Sequence, residues 1–221
     1  MTDTHGAEWT LPKMRKVDRQ FDVAPRADVP GELEREWIRI KDGIPLFLDR
    51  LAHEADGIVL VNRIKPHTNF IGPTESGLIK MMAIGFGNQV GAEHYHRLSI
   101  VRSQYEIVST AGKALIDRCP VLFGVALLEN YDHETACIKM ALPNEMEAVE
   151  TELLKKARDW LPTLPMDDID LLIIDEMGKD ISGEGIDPNV VGRDVCAYGV
   201  ERPLPRISRI FVRDLSEGSE G

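Results

Sequence analysis

Between positions 67 and 96 the chain gathers the side chains best suited to moving protons, attacking carbon or holding a metal. They are the imidazoles of His67, His94 and His96 and the amine of Lys80, which sits inside the apolar run Leu78-Ile-Lys-Met-Met-Ala-Ile84. Histidine exchanges protons near neutral pH and is the commonest metal ligand. A lysine among apolar residues has two readings. Either its stem lies along apolar surface while the amine reaches water, or the amine is desolvated, gives up its proton more readily and acts as a nucleophile. Spacing alone does not separate them. His94 and His96 stand two positions apart, which on a helix turns their side chains about 200° from each other. A zinc-hydrolase site using both would need an extended segment there.

The segment Gly72-Pro-Thr-Glu-Ser-Gly77 before Lys80 also invites a phosphate-loop reading, because two glycines can open backbone amides toward an anion. The match fails in detail. A nucleotide loop requires Lys directly after the second Gly and then Ser or Thr for magnesium, whereas Leu78 and Ile79 intervene here and Met81 follows Lys80.

These residues need a scaffold, and the flanking sequence supplies its pattern. The β-branched run 58–61 fits a strand that a parallel sheet would enclose on both faces. Pro66, Gly72, Pro73 and Gly77 then break the chain into a loop at the strand's carboxyl end, the position where open α/β sheets bind ligands. Further strands are expected at 121–128, 135–141, 169–174 and 207–212, and helices at 50–55, 75–84, from about 92, at 105–118 and at 143–161. Glycines 85, 87 and 91 should end the helix that carries Lys80. Asp42-Gly43 between two apolar runs suggests a hairpin of 37–40 with 44–48. Alternating strands and helices predict an α/β fold with a mostly parallel or mixed sheet and flanking helices, a Rossmann-like three-layer architecture. A polar arm over 1–36, with a short helix at 31–37, would precede an α/β domain over 37–214, and 215–221 reads as a disordered tail.

Composition narrows the function. With 221 residues, 43% hydrophobic, the chain can bury a real core, and its net charge of −11 includes no basic stripe of the kind nucleic acid requires. Cys119, Cys137 and Cys196 are odd in number and far apart, which speaks against a disulfide framework and for reduced thiols in the cytoplasm. No apolar stretch is long enough for a membrane span.

Three segments together, Asn62-Arg-Ile-Lys-Pro-His67, Gly72-Pro-Thr-Glu-Ser-Gly-Leu-Ile-Lys80 and Gly91-Ala-Glu-His-Tyr-His96, resemble the nickel-pincer-dependent lactate racemase family. That family epimerises 2-hydroxy acids with nickel held in a pyridinium-derived pincer nucleotide tethered to a lysine. The resemblance implies His67 as the acid/base, Lys80 as the tether and His96 as the nickel ligand, with Gly72, Ser76 and Gly77 in the cofactor-binding loop. It also implies a small 2-hydroxy acid as substrate and cofactor-synthesis proteins as partners. A second glycine-rich loop, 178–193, resembles the family as well, and its Lys179 and Arg193 would suit a substrate carboxylate or cofactor phosphate; as solvated loop charges they would do neither. The family's second catalytic histidine and its C-terminal domain have no counterpart in the sequence, so a shortened member is expected, incomplete without a partner. The alternative is a non-catalytic α/β domain that binds a small anion or nucleotide.

Overall fold

The computed structural model describes residues 43–193 and 204–219. All of them fall within the unit Glu34–Gly221. The polar arm, the helix expected at 31–37, the strand expected at 37–40, Cys196 and the last two residues lie outside the described residues.

In chain order the elements are α1 (Arg50–Glu54), β1 (Ile58–Arg63), α2 (Leu78–Lys80) running into a π-helical turn (Met81–Gly85), α3 (Asn88–Leu98), α4 (Gln104–Arg118), β2 (Val121–Glu129), β3 (Thr135–Ala141), α5 (Met146–Asp159), β4 (Asp168–Met177), α6 (Pro188–Val191) and β5 (Arg206–Leu215). The fold is α/β. β1 pairs parallel with β2, which the long helical crossover between them permits, and β2 pairs antiparallel with β3. A second sheet consists of β4 and β5 in parallel.

The core lies under one face of the three-stranded sheet. Ile58, Leu60, Val121, Ala126 and Leu128 point into it, and the apolar stripe of α5, Met146, Val149, Leu153 and Leu154, packs there too. At its centre is the turn that carries Lys80, with Leu78, Ile79, Met82 and Ala83 buried. Two glycines let this turn sit so deep. A Cβ on Gly124 of β2 would come within 2.5 Å of the Leu78 side chain, and one on Gly112 of α4 within 2.5 Å of the Ile79 carbonyl.

Several elements depart from expectation, each for a local reason. β1 buries only alternate residues, leaving Val59 and Val61 exposed. Across the outer face Val61, Val125 and Met140 stand in register, as do Leu127 and Ile138. Ile138 and Met140 are 66% and 63% exposed, so this face is apolar and open among the described residues. In the second sheet Ile173 lies opposite Phe211, and both are exposed.

Residues 44–48 belong to no named strand; Pro45 stands in a single bridge, and the other half of the expected hairpin, 37–40, lies outside the described residues. Ile44, Leu46 and Phe47 are buried as an apolar plug. Phe47 also explains why Gly91 lies inside α3 and does not end a helix: a Cβ there would meet the Phe47 side chain at 2.9 Å. The helix expected over 75–84 begins only at Leu78, because Glu75 turns inward and folds the preceding residues into a loop. At the far end, Leu215 closes β5 and Ser216 is buried, its hydroxyl donating to Asp180.

Candidate active site

Where β1 ends, Lys65 and Ser76 exchange backbone hydrogen bonds of 3.2 and 3.3 Å and pinch the base of a loop. Glu75 organises its interior. One carboxylate oxygen accepts from the His67 amide at 2.6 Å, and the other accepts from the Gly72 amide at 3.0 Å and from the Arg158 guanidinium of α5. The Glu75 side chain is almost wholly buried. A carboxylate in that position is tolerable because a cation and two amides replace the water it has lost. Arg158 also donates to the Gly72 carbonyl at 3.2 Å, which ties the loop to α5 a second time.

This loop presents His67 to Lys80. The imidazole stacks on buried Phe70, with ring centroids 4.3 Å apart and planes inclined by 27°. Its backbone carbonyl accepts from the Asn189 side chain of α6 at 3.2 Å, so the second glycine-rich loop touches the first at this residue. Its Nδ1 accepts from the Asn69 amide at 3.0 Å, and its Nε2 lies 2.5 Å from the Lys80 amine.

These two contacts fix the protons. An amide N–H pointing at Nδ1 requires a lone pair there, so the neutral ring carries its hydrogen on Nε2. Nε2–H must then donate, and Lys80 must accept, which an ammonium cannot do. Both contacts are satisfied together when a neutral imidazole gives a hydrogen bond to the unprotonated form of the amine. Burial, with a smaller contribution from the positive charge of Lys65, lowers the Lys80 pKa from 10.5 to about 8, so the unprotonated amine that this contact requires forms far more readily than in an ordinary lysine and predominates above that pH. Of the two readings of this lysine, the desolvated amine is the one the fold builds.

The turn beneath Lys80 is held from outside its own segment. Its N-cap residue is Gly77, which has no side chain to cap with. The Gly77 carbonyl accepts from the Asn62 side chain at 2.9 Å, and the Ile79 amide donates to Glu150 of α5 at 2.8 Å. Glu150 is 1% exposed, and its second oxygen is buried without a partner among the described residues. Burial raises its pKa to about 7 against the pull of the Ile79 and Leu78 amides, with the charge of Glu147 adding to the rise.

The remaining residues singled out from the sequence fall as follows. Gly72 offers its amide to Glu75, Ser76 closes the loop base with its backbone, and Gly77 starts the Lys80 turn. His96 is exposed on α3, its carbonyl accepting from the Ser99 hydroxyl at 2.7 Å, and among the described residues no hydrogen bond joins it to His67 or Lys80. His94 packs its ring 5.3 Å from that of Phe47. Because α3 is helical, His94 and His96 diverge, and the extended geometry a shared zinc would need is not formed. Lys179 is exposed. Arg193 gives its guanidinium to the carbonyls of Ile207 and Ser208, at 2.5 and 3.3 Å.

Asn62, Arg158, Asn189 and Glu150 were not singled out from the sequence, and Glu75 only as one more polar loop residue. Glu150 did leave a sign there: it lies in the stripe Met146, Val149, Leu153, Leu154, where an apolar residue belongs.

The fold and site together define a class, an α/β domain that sets a largely buried lysine of lowered pKa against a histidine at the carboxyl end of a parallel strand. Neither a family model nor a curated protein matches the chain. Among the described residues no helix is long and apolar enough to cross a membrane, and no three or more His, Cys, Asp or Glu side chains are grouped to hold a metal.

Proposed function

We propose that this chain carries the reactive centre of a 2-hydroxy-acid racemase or epimerase of the lactate racemase type, with Lys80 as the point of covalent cofactor attachment. The observation that carries the reading is the Lys80–His67 contact, because an amine that gives up its proton far more readily than an ordinary lysine can, once deprotonated, attack an acyl carbon. On this reading the group attached would be a nickel-pincer nucleotide. A pincer brings most of the metal's donors itself, so one further imidazole suffices, and exposed His96 is assigned that part. When bound, the group would supply a hydride acceptor for the substrate carbon. The chain's own part is proton handling: once Lys80 is acylated it no longer needs the Nε2 hydrogen, and the stacked imidazole of His67, its hydrogen moved to Nδ1 at the expense of the Asn69 contact, would hold and return the proton of the substrate hydroxyl at Nε2. Lys65 is exposed close to the amine and offers a positive charge to a carboxylate or phosphate. Partners on this reading are a small 2-hydroxy acid and the cofactor-synthesis proteins, with no nucleic acid or membrane. A reducing, cytoplasmic setting suits the free thiols of Cys119 and Cys137.

Racemisation needs a proton handler on each face of the carbon, and His67 serves one. The open apolar faces of both sheets therefore favour a second reading, in which the domain is completed by a partner that brings the other. Co-expression with the cofactor-synthesis proteins, followed by nickel analysis and mass measurement of the intact chain, tests the proposal. A nickel-containing adduct on the Lys80 peptide, lost in Lys80→Ala, is expected. An unmodified Lys80 under those conditions removes the enzyme reading, and ligand affinity that survives Lys80→Ala would favour the plain binding domain.

A further inference from the structure

We propose that Glu150 is the positioning residue for the Lys80 amine, a carboxyl delivered from α5 that caps the turn carrying the nucleophile because that turn has no cap of its own. The inference rests on the reading of Lys80 as a reactive amine.

The first turn of a helix leaves amides unpaired, and a Ser, Thr, Asp or Asn at the N-cap usually satisfies one of them. Here the N-cap is Gly77, and the acceptor arrives from 71 residues away. Gly77 is itself explained by the arrangement. Its backbone is extended, which any residue can adopt, yet a Cβ would lie 2.7 Å from both the carboxyl carbon and Oε1 of Glu150. The glycine thus makes room for the carboxyl to reach the Ile79 amide and need not be there for an anion. Asn62 grips the carbonyl of the same residue, so the start of the turn is held from two sides.

The placement goes against packing. Neighbours of Glu150 on the stripe are Met146, Leu153 and Leu154, all buried, and a leucine would fill the site without burying an unpaired oxygen. Orphaned buried polar atoms are rare and call for a reason. Position supplies one: the amide that Glu150 holds belongs to the residue immediately before Lys80, and successive helical residues differ by about 100° around the axis. A slip at Ile79 therefore swings the Lys80 stem away from His67 Nε2. The charged and titratable groups facing this assembly are Lys65 and His67 at Lys80, and Glu147 at Glu150.

The test is the pH profile of Lys80 labelling by an acylating reagent on the full chain, read by peptide mapping. Wild-type half-labelling is expected near pH 8. Glu150→Gln keeps a neutral acceptor for the Ile79 amide and should keep that profile. Glu150→Leu should move it upward by about one unit or more, slowing labelling at pH 8 roughly fivefold or more. Gly77→Ala, whose added methyl pushes the carboxyl away, should do the same, and it decides the matter if the Leu variant does not fold. A Leu or Gly77→Ala variant that melts cooperatively and keeps the wild-type profile overturns the proposal, as does a Gln variant that behaves like Leu. A wild-type Lys80 titrating as an ordinary lysine overturns the reactive-amine reading as well, and so tells the two failures apart.

Discussion

Two loops leave the carboxyl ends of parallel strands in this molecule, one after β1 and one after β4, and both are rich in glycine and charge. They are built differently. In the first, Glu75 is buried and bonded to two amides and a guanidinium, and His67 is held by stacking and by backbone on both sides. In the second, Lys179 is exposed and Arg193 is committed to two carbonyls beside its own loop. Asn189 is the link between them. A high density of polar residues at a strand exit therefore does not by itself mark a site. What marks it is a carboxylate buried beneath the loop, which has no purpose unless it holds something in place.

The comparison breaks most easily at Glu75. Glu75→Ala leaves the His67 and Gly72 amides and the Arg158 guanidinium without their acceptor, at a cost of about 3 kcal/mol, somewhat below a fully buried pair because Arg158 remains partly open to water. Urea unfolding should show that loss, and Lys80 labelling should shift toward the profile of an ordinary lysine. A loss under 1 kcal/mol would mean that water replaces the carboxylate and that the loop needs no buried anchor.

An effect of similar size at most is expected from pH, with two slopes of opposite sign. Between pH 4.5 and about 7 the folded chain keeps a proton on Glu150 that the unfolded chain has released. Stability from this group is thus complete below the lower limit and falls as pH rises through the upper one, by about 3 kcal/mol at most. Between about pH 8 and 10.5 the unfolded chain holds a proton on Lys80 that the folded chain lacks, so stability rises with pH there. Glu150→Gln should flatten the first slope only, and Lys80→Met the second only. Denaturant midpoints measured across both windows check this, and a single variant that flattens both would mean the two groups titrate as one unit.

Smaller again is the seam between the loops. Asn189→Ala removes the side-chain hydrogen bonds to the His67 carbonyl and to Asp187 from a half-buried position and should cost about 1 to 2 kcal/mol. Since Phe70 and Asn69 still hold the ring, Lys80 labelling should move little.

Much of the scaffold was legible in the sequence, because strand and helix periodicity come from side-chain burial and survive in the order of residues. The apolar run around β2 and the helix α4 fall where the pattern placed them, within a residue or two. The pairing of His67 with Lys80 was legible only as proximity in a broken loop. Its chemistry was not, since the tautomer depends on one amide from Asn69 and the lowered pKa on burial, and neither is a property of spacing. The start of α2 was misplaced for the same kind of reason: Glu75 looks like a first-turn helix residue until Arg158, 83 positions later, arrives beside it. Long-range carboxylate contacts leave at most an oddity behind, such as a glutamate in an apolar stripe.

The smallest expected effect is the sharpest test of the contrast between the two loops. Lys179 is exposed and its neighbours do not depend on it, so Lys179→Ala should change stability by less than about 0.5 kcal/mol and leave the Lys80 profile untouched. Arg193→Ala should cost more, about 1 kcal/mol, because the Ile207 and Ser208 carbonyls lose a donor, yet it too should leave Lys80 alone. If Lys179→Ala instead prevents adduct formation while stability and labelling stay at wild-type values, the lysine must act only when cofactor or substrate is bound. The second loop would then be a ligand-binding partner to the first, and the difference between a buried anchor and an exposed charge would be one between holding a residue in place and meeting a ligand.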